Sequence, residues 1–329
     1  MRTRLTGPAP WASSWTTPLQ RALGNRTVFA FVVLFLFWVA TNVLVPNFAT
    51  VGHTQYVLQT GAFLGLVAAG QTLVIIIGGI DLSVAGVLSL GAVVCAQLIA
   101  SKQAGVPEAI AISLALSALI GLANGLGIRK LRLPPLVMTL ATLTIIQGGL
   151  LLYTNGSPKS VHVPILSFLA NDKTFGIPNV FLLLMVVSVF CVWLLNFSRF
   201  GRSAYAMGIN PQAARLSGVD LNRTAYLMYT LSGLLAGVAG LVLMGFTDNA
   251  YLAMGNPYQL ASIAAVVLGG TSILGGRGHY LGTVAGALLL TILTGLLPVL
   301  NIPQAGQNVT QGLVIIGLLL LYSRERGDE

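Results

Sequence analysis

The sequence predicts an all-α, polytopic membrane protein of about ten transmembrane helices. Three observations carry that expectation. Of the 329 residues, 55% are hydrophobic and 8% charged, with a mean hydropathy of +0.86, whereas an ordinary globular domain gives about one quarter of its residues to charge. The apolar residues fall in runs long enough to cross a hydrocarbon core of roughly 30 Å. The scarce basic residues collect on one side of those runs.

Taken in order, the runs lie at about 27–45, 56–77, 82–100, 108–128, 134–153, 178–197, 224–246, 258–275, 280–299 and 309–322. Threading the chain through them puts fourteen of the 17 Lys and Arg on one face, in groups at Arg2 to Arg26, Arg129 to Arg132, Arg199 to Arg223, Arg277 and Arg324 to Arg326. Lys102, Lys159 and Lys173 fall on the other. The positive-inside rule then places both termini and the 199–223 loop in the cytoplasm. The net charge of +9 is accounted for by topology, which removes the reason to expect a nucleic-acid partner. Domain organisation follows: a cytoplasmic tail at 1–26 with Trp11 and Trp15 at the interface, a transmembrane domain at 27–322, and a cytoplasmic tail at 323–329. No cleavable signal peptide is expected. Cys95 and Cys191 lie in apolar runs and read as small buried hydrophobes, with no metal spacing around them.

The 199–223 loop is the longest polar, basic interval between two apolar runs, and it holds a short helix with both ends marked. Asn210 is a good N-cap, Pro211 suits the first helical position, and Gly218 suits the left-handed residue that closes a helix. Seven residues cannot stand as a helix in water. Ala213, Ala214 and Leu216 form a small-residue face with one knob, and Arg215 sits near the negative end of the helix dipole. A groove on a cytoplasmic partner suits that face better than lipid, which favours a broad apolar side.

Gly78-Gly79-Ile80-Asp81-Leu82-Ser83 places two helix-breaking glycines before the one acidic residue inside an otherwise continuous apolar stretch. An ionisable group at membrane depth is a functional-site hypothesis. Asp81 also reads as an N-cap for a helix starting at Leu82, accepting the N–H of Ser83 or Val84. The two roles are compatible, because broken helices expose polar backbone only where protein or a cavity lines them. Gly121, Gly125, Gly233, Gly237, Gly240, Gly282 and Gly286 recur at three- and four-residue spacing, the pattern of close helix approach.

Two stretches on the outward side carry polar groups. The loop from Tyr153 to Ile177 holds Lys159, His162, Asp172 and Lys173 and is long for this chain, and long loops tend to carry binding. The second, TDNAYLAMGNP from Thr247, offers Asp248 and Asn249 as a doorway for a polar solute or as an ordinary turn. GGTSILGGRG at 269–278 has glycines at phosphate-loop spacing but no following Lys-Ser/Thr, and it joins two spans rather than following a strand. It is not read as a nucleotide site, so ATP chemistry would belong to a separate subunit. The spans hold Gln71, Thr72, Asn124, Thr139, Thr142, Thr144, Gln147, Thr291 and Thr294 with one carboxylate, a set that suits a neutral polyhydroxy solute. An ion-coupled carrier working through Asp81 is the competing class.

Four motifs in order, GGIDLS (78–83), YTNGSP (153–158), RSAYAMGINPQAARLSGV (202–219) and ASIAAVVLGGTSILGGRG (261–278), resemble the permease subunit of ribose-type sugar ATP-binding-cassette importers. The likeness runs from about the first span to the C-terminus. It implies a ten-helix, type II importer-like architecture in the bacterial inner membrane, whose loop between spans six and seven docks the ATPase. On this chain that assigns coupling to Asn210, Pro211, Ala213, Ala214, Arg215, Leu216 and Gly218. Gly78, Gly79, Asp81, Ser83, Asn124, Asp248 and Asn249 become the path or gate, and Lys159 and Lys173 the contact for an extracytoplasmic sugar-binding protein. The resemblance further implies a second permease copy, no cofactor on this chain, and ATP with Mg on the partner ATPase. A monosaccharide such as ribose is the expected solute, with nucleosides and branched amino acids as the family's other cargoes.

Overall fold

A computed structural model describes residues 26–317 apart from 46, 47, 304, 307, 308, 311, 314 and 315. The tail at 1–25 with its two tryptophans, the end of the tenth expected span and the tail at 323–329 lie outside the described residues. The described chain is helical almost throughout, because a backbone in lipid has to satisfy its own hydrogen bonds. The helices are α1 (Arg26–Leu44), α2 (Val51–Ile76), α3 (Val84–Ala100), α4 (Val106–Lys130), α5 (Pro135–Thr154), α6 (Pro164–Asn171), α7 (Asn179–Phe197), α8 (Arg199–Ile209), α9 (Pro211–Leu216), α10 (Leu221–Thr247), α11 (Asn256–Leu268) and α12 (Tyr280–Val299). Four two-residue strands complete it: β1 (Lys159–Ser160) pairs antiparallel with β4 (Asn249–Ala250), and β2 (Lys173–Thr174) with β3 (Ile177–Pro178).

Among the described residues seven helices, α1, α2, α4, α5, α7, α10 and α12, are long and apolar enough to cross a membrane. The runs at 82–100 and 258–275, expected as full spans, form shorter helices. α3 has 17 residues and α11 has 13, the latter only about 20 Å of rise at 1.5 Å per residue. Both are cut by glycines in the left-handed region: Gly78 (φ +80) lies in the break before α3, and Gly270 (φ +85) follows α11.

α2 is the hub, with every residue from Gly61 to Ile76 buried. α10 packs along it and also against α3, α4 and α6, while α12 packs on α1, α2 and α11. Lipid tails remove the hydrophobic incentive for helices to associate, so contact rests on close packing and hydrogen bonds. The glycines supply the closeness. A methyl group on Gly121 of α4 would meet the Tyr229 backbone of α10, and one on Gly233 of α10 the Ser117 carbonyl of α4. Gly240 abuts the Leu88 carbonyl of α3, and Gly70 of α2 stands 2.8 Å, measured from a built methyl, from Ser232 Cα. Hydrogen bonds add direction: Thr72 to Thr283 at 2.9 Å, and Tyr280 Oη to the Gly65 carbonyl at 3.0 Å, fix α12 to α2.

This packing separates two kinds of glycine. Gly121→Leu is expected to destabilise by at least the 1–3 kcal/mol typical of overpacking, because the obstacle is backbone. Gly148→Leu in α5, where nothing lies within 4 Å, is expected to be neutral. Thermal unfolding of the detergent-purified variants checks the contrast, and equal melting temperatures would refute it.

Candidate functional site

The break between α2 and α3 is held by a hydrogen-bonded knot that draws on five segments. The Asp81 carboxylate is 1% exposed. Its Oδ1 accepts from Ser83 N at 3.0 Å and from Ser83 Oγ at 2.6 Å. Its Oδ2 accepts from Ser232 Oγ of α10 at 2.9 Å. Ser83 Oγ in turn accepts from Asn124 Nδ2 of α4 at 2.8 Å, and Asn124 Oδ1 from Thr142 Oγ1 of α5 at 2.6 Å. Backbone carbonyls freed by the break are partnered as well, Ile80 by Thr139 Oγ1 and Leu82 by Gln259 Nε2 of α11, each at 3.4 Å. Ser232 is the twelfth of the 27 residues of α10, so the knot lies near half the depth of that helix. Asp81 does accept the Ser83 N–H, as expected of a cap. The helix, however, starts at Val84 behind Ser83, because the second carboxylate oxygen is drawn sideways to α10.

Beside the knot, three segments meet largely through backbone. Gly276 N donates to the Ile76 carbonyl, the last residue of α2, at 2.9 Å. A methyl on Gly208 of α8 would strike both that carbonyl and Gly276 N, and one on Gly275 would come within 2.9 Å of Gly78 Cα. Tyr205 Oη donates to the Gly278 carbonyl at 2.8 Å. The 269–278 glycines therefore sit where the loop after α11 meets the break after α2 and the helix that leads to α9. His279 closes that loop and caps α12, its Nδ1 accepting from Leu281 N at 3.2 Å. Partial burial lowers its pKa, favouring the neutral ring that accepts.

α9 follows directly on α8. Asn210 caps it, its side chain accepting from Gln212 N at 3.0 Å and Ala213 N at 3.1 Å, Pro211 holds the first position, and Gly218 has φ +82. The face divides differently from the expectation. Ala214 is turned into the chain's own core at 5% exposure, whereas Leu216 is 90% exposed; Ala213 and Arg215 are exposed with it. Ala214 thus anchors α9 to the protein, and Leu216 is what it offers outward.

Asp248 and Asn249, grouped in the sequence with Asp81, belong to a separate cluster. They lie at the far end of α10 from α9, about 40 Å of helix away. Asp248 closes α10 in the left-handed region, and its carboxylate meets His162 Nδ1 at 3.0 Å. The β1–β4 pairing sets Lys159 opposite Ala250 and Ser160 opposite Asn249. Lys173 pairs across β2–β3 with Pro178 and donates to Gln55 Oε1 of α2 at 2.5 Å. Sequence reasoning missed Ser232, which looks like any serine in an apolar run, and Gly208, whose close approach has no spacing signal. Thr142 stood among the neutral polar residues without a partner to mark it. Among the described residues no group of three His, Cys, Asp or Glu could hold a metal ion.

The knot predicts a graded response. Asp81→Asn keeps one carbonyl oxygen for Ser83, and the Ser232 hydroxyl can accept from the new amide, so folding and most activity are expected to survive. Asp81→Leu strands the Ser83 N–H and two hydroxyls, each costing about 1–3 kcal/mol. Melting temperature and solute uptake of both variants check the order, and an inactive but fully folded Asp81→Asn would show that charge itself is required.

The chain matches a family model described as branched-chain amino acid transport system / permease component over residues 53–321. It is 33% identical over 306 residues to the ribose import permease protein of Escherichia coli (strain K12), covering 92% of this chain and 94% of that one. It is 38% identical over 296 residues to the ribose import permease protein of Bacillus subtilis (strain 168), covering 88% and 91%. The autoinducer 2 import system permease protein of Klebsiella pneumoniae is 35% identical over 314 residues, 94% and 89% of the two chains. No solved structure matches. A family match across most of the chain, joined to relatives above 30% identity over nearly their whole lengths, makes this polytopic chain a member of that family of transport-system permease components.

Proposed function

We propose that the chain is the membrane-spanning subunit of an ATP-driven bacterial importer and carries a neutral monosaccharide, with ribose as the proposed solute, into the cytoplasm. The observation that carries the reading is the continuity from α9 to the break. A capped six-residue helix offers an exposed leucine outward, and its neighbour α8 abuts the end of α2, where the segment that holds Asp81 begins. Such a lever suits work delivered from a cytoplasmic ATPase, with ATP and Mg bound there and not on this chain. The solute class is supported by the names of the similar permeases, two for ribose and one for autoinducer 2, and by the neutral polar groups in the spans.

The same reading supplies the rest of the assembly. Ten spans are the reading of the apolar runs, with α3 and α11 as shortened members, and the distribution of Lys and Arg supports an even number with both termini cytoplasmic. Two copies would enclose the path, with Asp81, Ser83 and Asn124 at its inner boundary. Asp248, Asn249 and His162 would form its outer boundary, and Lys159 and Lys173 would face an extracytoplasmic sugar-binding protein. The ion-coupled alternative draws on one observation, a carboxylate near half depth. It is weakened by another: both oxygens of Asp81 already accept hydrogen bonds, with 1% of the residue exposed.

Uptake into sealed vesicles holding the full system decides between them. ATP-dependent, vanadate-sensitive uptake of ribose is expected; uptake that collapses with an ionophore and ignores ATP would favour ion coupling. Leu216→Asp is expected to abolish co-purification of the ATPase and uptake together while membrane insertion stays normal, since a charge buried in a partner groove costs several kcal/mol. Unchanged co-purification would remove α9 from the interface. The isolated permease should bind ribose no more tightly than about the millimolar range, roughly −4 kcal/mol, because a path that holds its cargo does not release it. A micromolar site measured by calorimetry would overturn that division of labour.

A further inference from the structure

A cavity of about 750 Å³ lies where α4 ends, α9 ends and α10 begins, lined by Ile128, Arg129, Arg132, Arg215, Val219 and Asp220 with the first residues of α10. Its charge is unbalanced. Asp220 is the one carboxylate in the lining, and it is committed: Oδ1 accepts from Asn222 N and Arg223 N as the cap of α10, each at 3.0 Å, and Oδ2 pairs with Arg223 Nε at 3.0 Å. Arg129 is oriented by a bond from its Nε to Asn222 Oδ1 at 2.9 Å. That leaves the outer N–H groups of its guanidinium for a ligand. Among the described residues, neither Arg132 nor Arg215 has a carboxylate partner.

Arg132 adds an independent observation. It occupies the residue after the C-cap of α4 with φ +58, where glycine is the usual occupant because a Cβ there is strained by roughly 1–2 kcal/mol. The chain keeps a strained arginine at the rim of a cavity already holding two others. Positive-inside topology explains arginines on this face but not that three of them line one cavity, nor the use of this position.

We propose that this cavity is an anion site for a phosphate-bearing ligand, with Arg129, Arg132 and Arg215 as its donors. Guanidinium groups match phosphate oxygens in bidentate geometry. The volume lies in the range of small-molecule sites, about 300–1,000 Å³, and exceeds what a single carboxylate side chain would fill. Phosphate at a cytoplasmic membrane face comes from two sources, an anionic lipid headgroup or a soluble phosphate ester. Either would tie α9, through Arg215, to the ends of α4 and α10, and so brace the lever against the helices that hold Asn124 and Ser232.

The test uses the purified full-length permease and the variants Arg132→Gly and Arg215→Gln, with Arg199→Gln as a control arginine elsewhere on the same loop. Arg132→Gly places glycine where the backbone favours it, so its melting temperature should hold or rise, and lost binding then cannot be blamed on misfolding. In one arm, nanodiscs mixing phosphatidylglycerol with phosphatidylcholine are read by native mass spectrometry for retained lipid. In the other, glycerol 3-phosphate is titrated by calorimetry into protein in neutral detergent. Binding in the first arm alone identifies the lipid headgroup, and binding in the second identifies a soluble ester. In either case Arg132→Gly and Arg215→Gln should each weaken it about fivefold, the effect of one basic residue at an anionic surface, and Arg199→Gln should not. No binding in either arm, or an equal loss in all three variants, would overturn the proposal.

Discussion

A carboxylate near half depth in an apolar protein must have its hydrogen bonds supplied, and that constraint organises this structure. Asp81 needs donors for two oxygens, and the chain brings them from its own break and from α10, with α4 and α5 securing Ser83 behind it. An unpartnered polar group in hydrocarbon costs several kcal/mol. Four segments are therefore bound to one another through a group that no single one of them could accommodate, and α11 joins them at the Leu82 carbonyl. The knot is also dense: Ser83 gives its N–H and its hydroxyl to one oxygen of Asp81 while α10 holds the other, and α4 and α5 reach Ser83 from outside, so a shift in one helix has to be answered by the others.

What makes the knot addressable is the bare backbone beside it. Gly208, Gly275, Gly276 and Gly78 let α8, the loop after α11 and the break after α2 touch largely through backbone, with the Ile209 side chain of α8 lying against Gly276. Side chains change rotamer and blunt a push; backbone carbonyls and amides in contact transmit it. α9 is joined to α8 through the single residue Asn210, which ends one helix and caps the next. A partner pressing on Leu216 would thus act on a short rigid lever whose base rests on the end of α2.

Much of this was legible in the sequence, and the reasons differ by scale. Apolar runs fixed seven full-length spans because hydropathy over about twenty residues is the signal lipid selects. The same signal overstated the runs at 82–100 and 258–275, since composition averages across glycines that end a helix. α9 was legible nearly to the residue because capping is local chemistry: Asn210, Pro211 and Gly218 each act on their own backbone. Its burial pattern was not. Which of Ala213, Ala214 and Leu216 faces out depends on how α8 and α10 approach, a tertiary fact. Asp81 stood out as a charge among apolar residues, but Ser232 did not, because a serine in a transmembrane helix usually bonds its own backbone and nothing local marks the one that reaches across.

The two shortened helices bear on why a knot can exist at that depth at all. Full spans on both sides of Asp81 would leave its backbone neighbours bonded within a helix and leave no loop to place a carboxylate inward. Ending α2 at Ile76 and delaying α3 to Val84 frees the Ile80 and Leu82 carbonyls, and these are met by Thr139 of α5 and Gln259 of α11. α11 can serve because it is itself short. Its start is pinned to α3 by Gly255 N donating to Ser89 Oγ at 3.0 Å, and a methyl on Gly255 would strike the Ala85 carbonyl. One broken helix is thus chaperoned by another, and irregular backbone at depth is confined to where protein surrounds it. A solute path bordered by such segments gains polar backbone that can be exposed by small helix displacements, which unbroken helices could not offer without losing their own hydrogen bonds.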